Sequence, residues 1–253
     1  MKPVPRPRTD PCAIPRPQTQ AGLGLIELLV VIVISLLMLA GLFATVYGTR
    51  QSFVAQNQLA QLQDNERLAM TVLTNIIQTA GYFSNPTTKT SAQALPIATV
   101  NGGNFAAAGQ SVYGITGDQI WVRYVAGTSD GVMDCSGQTN ATAGPQTDVN
   151  TFYVANVGGA SQLVCQVTEN GTTTTQPLVS GVTSMTILYG VDTNGDGSVD
   201  QYIPASTMAA ANWKSVISVQ VTLTFANPAT GATGVTGPAT FQLTRTIDLM
   251  SQI

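Results

Sequence analysis

The chain has 253 residues, 44% of them hydrophobic, which is enough for one sizeable core with an appendage. Charged residues make up only 9% and the net charge is −3, against roughly 25% charged residues in an average soluble domain; that balance suits an extracytoplasmic β-rich domain better than a cytosolic enzyme. Histidine is absent, which excludes Ser-His-Asp and Cys-His nucleophiles and every His-ligated zinc or iron site.

Residues 1–22 carry Lys2, Arg6, Arg8 and Arg16 against the single Asp10. They are interrupted by Pro3, Pro5, Pro7, Pro11, Pro15 and Pro17, a spacing no helix can run through. From 23 to 49 the only formal charge is Glu27, and the apolar run 28–48 is long enough to cross about 30 Å of hydrocarbon as a helix. Basic residues before the run and none within it orient its start toward the cytoplasm and put the rest of the chain outside. Glu27 is the discordant residue, because a charge at the entry of such a helix costs a few kcal/mol unless it finds a partner. Cutting after Gly22 would make Leu23 the new N-terminus and leave Glu27 about one helical turn from a fresh α-amine. A plainer reading of Glu27 is a carboxylate snorkelling at a membrane boundary. Ser35 and Thr45 read as hydroxyls bonded to carbonyls one turn back.

The segment from Gly22 through Glu27, followed by an unbroken apolar helix, resembles the class III signal of type IV prepilins and type II secretion pseudopilins. In that family a membrane peptidase cuts after the Gly and N-methylates the new terminus, and the Glu pairs with the terminal amine of a neighbouring subunit. The resemblance implies processing and methylation at Gly22 and Leu23 and an assembly role for Glu27. Leu23 departs from the family's usual Phe or Met at the first mature position, keeping its hydrophobicity.

Beyond Arg50 the pattern turns amphipathic. Ala55, Leu59, Leu62, Ala69, Leu73, Ile76 and Ile77 recur at spacings of three, four and seven, opposite Gln56, Asn57, Gln61, Asp64, Arg67 and Gln78. One helix over 23–79 would be roughly 85 Å long at 1.5 Å per residue, too long for a compact soluble domain. Its first half belongs in a membrane or filament core and its second half underlies a sheet. Glu66 falls within the apolar stripe without an evident reason. Gly81 is free to adopt the left-handed cap, and Asn85-Pro86 prevents the helix from resuming. Alternating or β-branched runs then predict strands at 119–125, 151–157, 162–167, 184–191, 198–203, 216–225 and 240–248, with a hairpin at Gly158-Gly159. The expected organisation is a leader over 1–22, a transmembrane or filament-core half-helix over 23–49, an amphipathic half-helix over 50–80 and an exported β-rich domain over 81–253. The fold class is α+β, a long helix packed on an antiparallel sheet, resembling the pilin fold.

The resemblance extends along the chain. The stretches Gln61 to Ala69 and Thr79 to Phe83, then Asp134-Cys135-Ser136-Gly137, Leu163-Val164-Cys165, Leu188 to Asp192 and Asp200-Gln201-Tyr202, are similar to the PilW-type minor pilins in the family's order. It implies a minor pilin that primes or initiates type IV pilus assembly at the inner membrane and enters the filament at or near its tip. The implied partners are other minor pilins, the major pilin, the prepilin peptidase, a tip adhesin and membrane lipid. A type II secretion minor pseudopilin is the neighbouring alternative. A fixed, membrane-anchored calcium-dependent binding module is the alternative from another class.

Cys12 would leave with the leader. Cys135 and Cys165 form an even pair in the exported part, which suggests an oxidising compartment; two buried free thiols are the other reading. The strongest ligand pattern is 192–200, which matches the first nine positions of a calcium loop. Asp192, Asn194, Asp196 and Asp200 supply oxygens at loop positions one, three, five and nine, with Gly197 for the sharp turn and the Ser198 carbonyl turned inward. Ile203 stands where the bidentate Glu of an EF-hand would be, and the same residue types also make a solvated turn. Lys214-Ser215 reads as no catalytic pair, because neighbours on a strand face opposite sides. Trp121 and Trp213 read as core. Removing the leader leaves about −6 of net charge, a poor balance for nucleic-acid binding, and no catalytic constellation is present.

Overall fold

The structure is a computed structural model in which residues 24–230 and 237–250 are described. Gly22, Leu23 and Cys12 lie outside the described residues. The chain divides into two compact units, Met1–Ser52 and Phe53–Ile253.

Helix α1 runs over Leu25–Gln78. Its opening half includes the β-branched run from Val30 to Ile34, a sequence with weak intrinsic helix preference. A helix is nonetheless what such a run must form where no water can satisfy its backbone, since all its hydrogen bonds are then internal. An 18-residue stretch of this helix has a mean hydropathy of 2.9 and none of it is buried. Hydroxyls bond back as expected, Ser35 to the Ile32 carbonyl and Thr45 to that of Leu42, both at 2.8 Å.

In the second unit the rest of α1 buries Leu62, Ala69, Met70, Leu73, Ile76 and Ile77. Two residues of the expected stripe depart from it: Leu59 is 44% exposed, and Ala55 is half-buried. The buried stripe therefore begins at Leu62, where the helix first meets the sheets. Glu66 is half-buried on it, and burial raises its carboxyl above the ordinary range. Gly81 does adopt the left-handed conformation, at φ 78°, and its N–H donates to the Arg123 carbonyl at 2.9 Å, joining the helix exit to the sheet.

After a one-turn helix, α2 (Ser91–Ala94), eleven strands follow among the described residues. β1 (Ala98–Val100) and β2 (Gly103–Phe105) form a small hairpin. β3 (Val112–Tyr113), β4 (Gln119–Ala126), β5 (Gln146–Val157), β6 (Ala160–Glu169) and β7 (Thr172–Ser180) make a five-stranded antiparallel meander. β8 (Val182–Val191), β9 (Gln201–Pro204), β10 (Val216–Ala226) and β11 (Thr240–Asp248) pair antiparallel in the order β11-β10-β8-β9. Each of the seven expected strands overlaps an observed one, although residues 198–200 of the expected 198–203 belong to the turn before β9, and the expected single sheet is two main sheets. β7 escaped the reading because its four threonines and Pro177 do not alternate; it is an edge strand, where Pro is tolerated. The β5–β6 hairpin turns at Gly158 and Gly159, both at positive φ as the tight turn needs.

The core joins all three layers. Leu73 and Ile77 of α1 meet Ile120, Val122, Phe152, Leu163 and Cys165 of the first sheet and Ile187, Val219, Val221 and Leu223 of the second. Alternation decides which side chains take part: in β4 the even residues Ile120 and Val122 join this core, while Trp121 packs with Phe105 and Val149 in a second cluster. Trp213 is also buried, edge-on to Tyr189 at 4.8 Å.

Candidate functional site

The first turn of α1 is nucleated by the Gly24 carbonyl, which accepts the N–H groups of Glu27 at 2.9 Å and Leu28 at 3.2 Å. Glu27 is exposed, in the turn where a carboxylate is favoured by the helix dipole. Its carboxylate makes no hydrogen bond or ion pair among the described residues. Around and beyond it the apolar side chains are uncovered: Leu25 is 80% exposed, Leu37 69% and Phe43 73%. An apolar surface this continuous is an association surface, for lipid, for other helices or for both. The arrangement offers one acid on a greasy rod, and among the described residues no nucleophile or base stands beside it.

Cys135 and Cys165 are joined in a disulfide, with Cα atoms 6.2 Å apart and a sequence separation of 30. Both are buried, so the bridge ties the long β4–β5 loop to β6 from inside the domain. The 192–200 loop is a dense turn. Asp192 accepts the Gly195 N–H at 2.6 Å and the Gly197 N–H at 2.8 Å, and Gly197 stands at φ 84°. Asp196 accepts from the Ser198 N–H, and Asp200 from the N–H and hydroxyl of Thr193. Asn194 donates to Asp196 and Asp200. These bonds favour the charged forms: the Gly197 N–H holds Asp192 low, and the Thr193 hydroxyl does so for Asp200. Among the described residues no group of three or more His, Cys, Asp or Glu converges as a metal set. Lys214 and Ser215 end a 3-10 helix, Ala210–Ser215, rather than lying on a strand, and no catalytic partner accompanies them.

Residues 17–43 match the family model of the prokaryotic N-terminal methylation motif, and residues 151–247 match that of type IV pilus-assembly protein W. The chain thus carries a PilW-type region behind an N-terminal methylation motif. Its methylation motif covers the Gly22-to-Glu27 segment, and its pilus-assembly region spans strands from both sheets. A type IV-like pilin from Thermus thermophilus is similar in structure, with 13% identity, a TM-score of 0.40, and 76% of this chain and 96% of that chain covered. No curated protein matches significantly. The matched pilus-assembly region supports a minor-pilin role in pili, and α1 is long and apolar enough to cross a membrane.

Arg123 and Asp148 are buried charged residues that the sequence pattern does not single out. Arg123 is 1% exposed and donates to the carbonyls of Gln110 at 2.6 Å, Pro96 at 2.7 Å and Leu95 at 3.3 Å. Its guanidinium lies 4.2 Å over the Phe105 ring, and burial lowers its pKa to about 10, leaving it charged. A lone Arg inside the run from Ile120 to Ala126 was the available signal. Asp148 is 2% exposed, with one hydrogen bond, from Gln146 Nε2 at 2.8 Å. Burial pushes its carboxyl up to about 7, Gln146 opposes that, and Glu169, Asp134 and Asp130 add to it. Asp148 alternates like any strand residue, so no pattern marks it.

Proposed function

We propose that the chain is a minor pilin that primes type IV pilus assembly at the inner membrane and sits at or near the filament tip. The observation that carries this reading is the carboxylate of Glu27, without a partner among the described residues, at the start of an uncovered apolar helix inside a methylation motif. Before processing, the basic leader stays on the cytoplasmic side and the β-rich domain lies in the periplasm. Cleavage after Gly22 frees the Leu23 amine, one turn from Glu27. Two unit charges 4 Å apart attract by about 4 kcal/mol at an effective dielectric of 20. Each fully buried Leu, Ile, Val or Phe adds roughly 1.5–3 kcal/mol. Apolar burial therefore supplies most of the association energy, and pairing of Glu27 with a neighbour's amine fixes the axial register. The partners of this reading are other minor pilins, the major pilin, the prepilin peptidase, a tip adhesin and membrane lipid. Intact mass and N-terminal sequencing of protein from sheared filaments test it: a chain beginning at N-methylated Leu23 is expected, and a full-length chain confined to membranes overturns it.

A calcium clip at Asp192, Asn194, Asp196, Ser198 and Asp200 is a separate proposal. It is supported by the oxygen-bearing residue types at alternate loop positions and by the depressed carboxyls of Asp192 and Asp200.

A further inference from the structure

The β4–β5 loop folds its middle into a small hairpin closed by the bridge between Met133 and Thr139. Asp134 holds the turn, accepting the Ser136 N–H and hydroxyl, both at 2.7 Å, and the Gln138 N–H at 2.9 Å. The hairpin is seated on the first sheet by three links. The Cys135 N–H donates to Asn150 Oδ1 at 2.8 Å, the Tyr124 hydroxyl donates to the Met133 carbonyl at 3.0 Å, and the disulfide reaches β6. Tyr124, Asp148 and Glu169 are direct cross-strand neighbours on β4, β5 and β6, on the sheet face that carries Asn150.

Three carboxylates thus gather at this end of the sheet: Asp148 on β5, Glu169 on β6 and Asp134 in the hairpin. Asp130, elsewhere in the same loop, adds a fourth negative group that acts on Asp148. No cation answers them among the described residues, since the Arg123 guanidinium alternates to the other face of β4 and is spent on three carbonyls. The remaining polar neighbours are neutral: Gln146, which Asn170 supports, Tyr124, and Asn150, whose buried Nδ2 has no hydrogen-bond partner.

We propose that the hairpin around Cys135 is a pH-responsive clasp, seated when Asp148 is neutral and loosened when Asp148 is ionised. Ionising Asp148 sets a charge in a poorly solvated place facing Glu169 and Asp134. β6 is locked into a ladder on both sides, so Glu169 cannot withdraw. The hairpin can, because among the described residues it is held by the seating bonds of Cys135 and Met133, the disulfide and the packing of Cys135 rather than by a strand ladder, and lifting it admits water to Asp148 while carrying Asp134 away. The disulfide limits the excursion to local opening, the kind of low-energy unit that amide exchange detects. The consequence reaches the surface: Val132, Met133, Asp134 and Cys135 form one wall of a groove of about 470 Å³ whose other walls include Val72, Ile76 and Met250. The shape of that groove follows the protonation of a residue that does not line it. This inference is independent of the reading given to Glu27.

The test is amide hydrogen exchange of the full chain in detergent micelles from pH 5.5 to 8.5, corrected for intrinsic exchange rates, read at the Cys135 N–H. Protection should fall about tenfold or more as pH rises from 5.5 toward 7 and level off above the Asp148 titration near 7, each unit of coupled pKa being a factor of ten. In Asp148→Asn the profile should be flat at the protected level, and in Glu169→Gln the midpoint should move to lower pH. Protection independent of pH in the wild type, or the same dependence surviving in Asp148→Asn, overturns the proposal. Should Asp148→Asn not fold, an unmoved midpoint in Glu169→Gln overturns it equally.

Discussion

Replacing Asp148 by Asn should stabilise the protein at high pH and leave it unchanged at low pH. The side chain keeps its shape, and Asn Oδ1 can still accept the Gln146 bond that Asp148 accepts at 2.8 Å. An unfolded Asp titrates near 3.9, whereas burial places the folded group at about 7. Below about pH 4 the group is neutral in both states and contributes no difference. Between about 4 and 7 the unfolded chain ionises while the folded one resists, so stability falls as pH rises; above about 7 the loss is complete. Roughly three units at 1.36 kcal/mol each give an upper bound of about 4 kcal/mol, and the screening available beside a surface loop halves this to about 2 kcal/mol. For a chain of this size that is about 4–8 °C in Tm. Thermal melts of wild type and Asp148→Asn in the same detergent, at each pH from 4 to 8, should show curves that coincide at pH 4 and separate progressively. A separation that does not change with pH, or a variant less stable than wild type at pH 8, refutes the reasoning.

Removing the disulfide as Cys135→Ser with Cys165→Ser frees a loop of about 30 residues and should cost about 3.5 kcal/mol by chain entropy, or about 7–14 °C in Tm. Arg123→Met strands the carbonyls of Leu95, Pro96 and Gln110 in the interior and should cost about 3 kcal/mol or more; the urea midpoint should fall with its slope unchanged, and Arg123→Lys should rescue little, because one ammonium cannot reproduce the fork. If the 192–200 loop holds calcium, adding the ion to about ten times its Kd should stabilise the fold by about 1.4 kcal/mol, or about 3–6 °C; an unchanged melting point at millimolar calcium rejects the clip.

The elements that sequence made legible are those where one period dominates. The apolar run after Glu27, the buried row of Leu62, Ala69, Leu73, Ile76 and Ile77, and the alternating strands β4, β8, β10 and β11 each carry a pattern that only one structure satisfies. Gly81, Gly158 and Gly159 stood out because left-handed turns need them. What stayed hidden depends on tertiary placement. β7 lacks alternation because residues 172–177 of this edge strand are exposed on both faces and feel no pressure to alternate. The division into two sheets follows from how β8 to β11 pair, which no local pattern encodes. Leu59 fits the helical stripe by spacing and is exposed because the sheets begin one turn later. At the site, Glu27 was legible because a charge in an apolar run is conspicuous. Asp148 and Asp134 were not, because carboxylates 14 residues apart become neighbours only when the β4–β5 loop folds back.

The account of assembly stands on the charge of Glu27. Its most direct measurement is the amount of Glu27→Gln chain recovered in sheared filaments, relative to wild type and at matched membrane levels. The substitution keeps the size and the hydrogen-bonding end of the side chain and removes the attraction worth about 4 kcal/mol, so incorporation should drop by about two orders of magnitude or more. Equal incorporation of the two chains, each correctly cut to begin at Leu23, would contradict the claim.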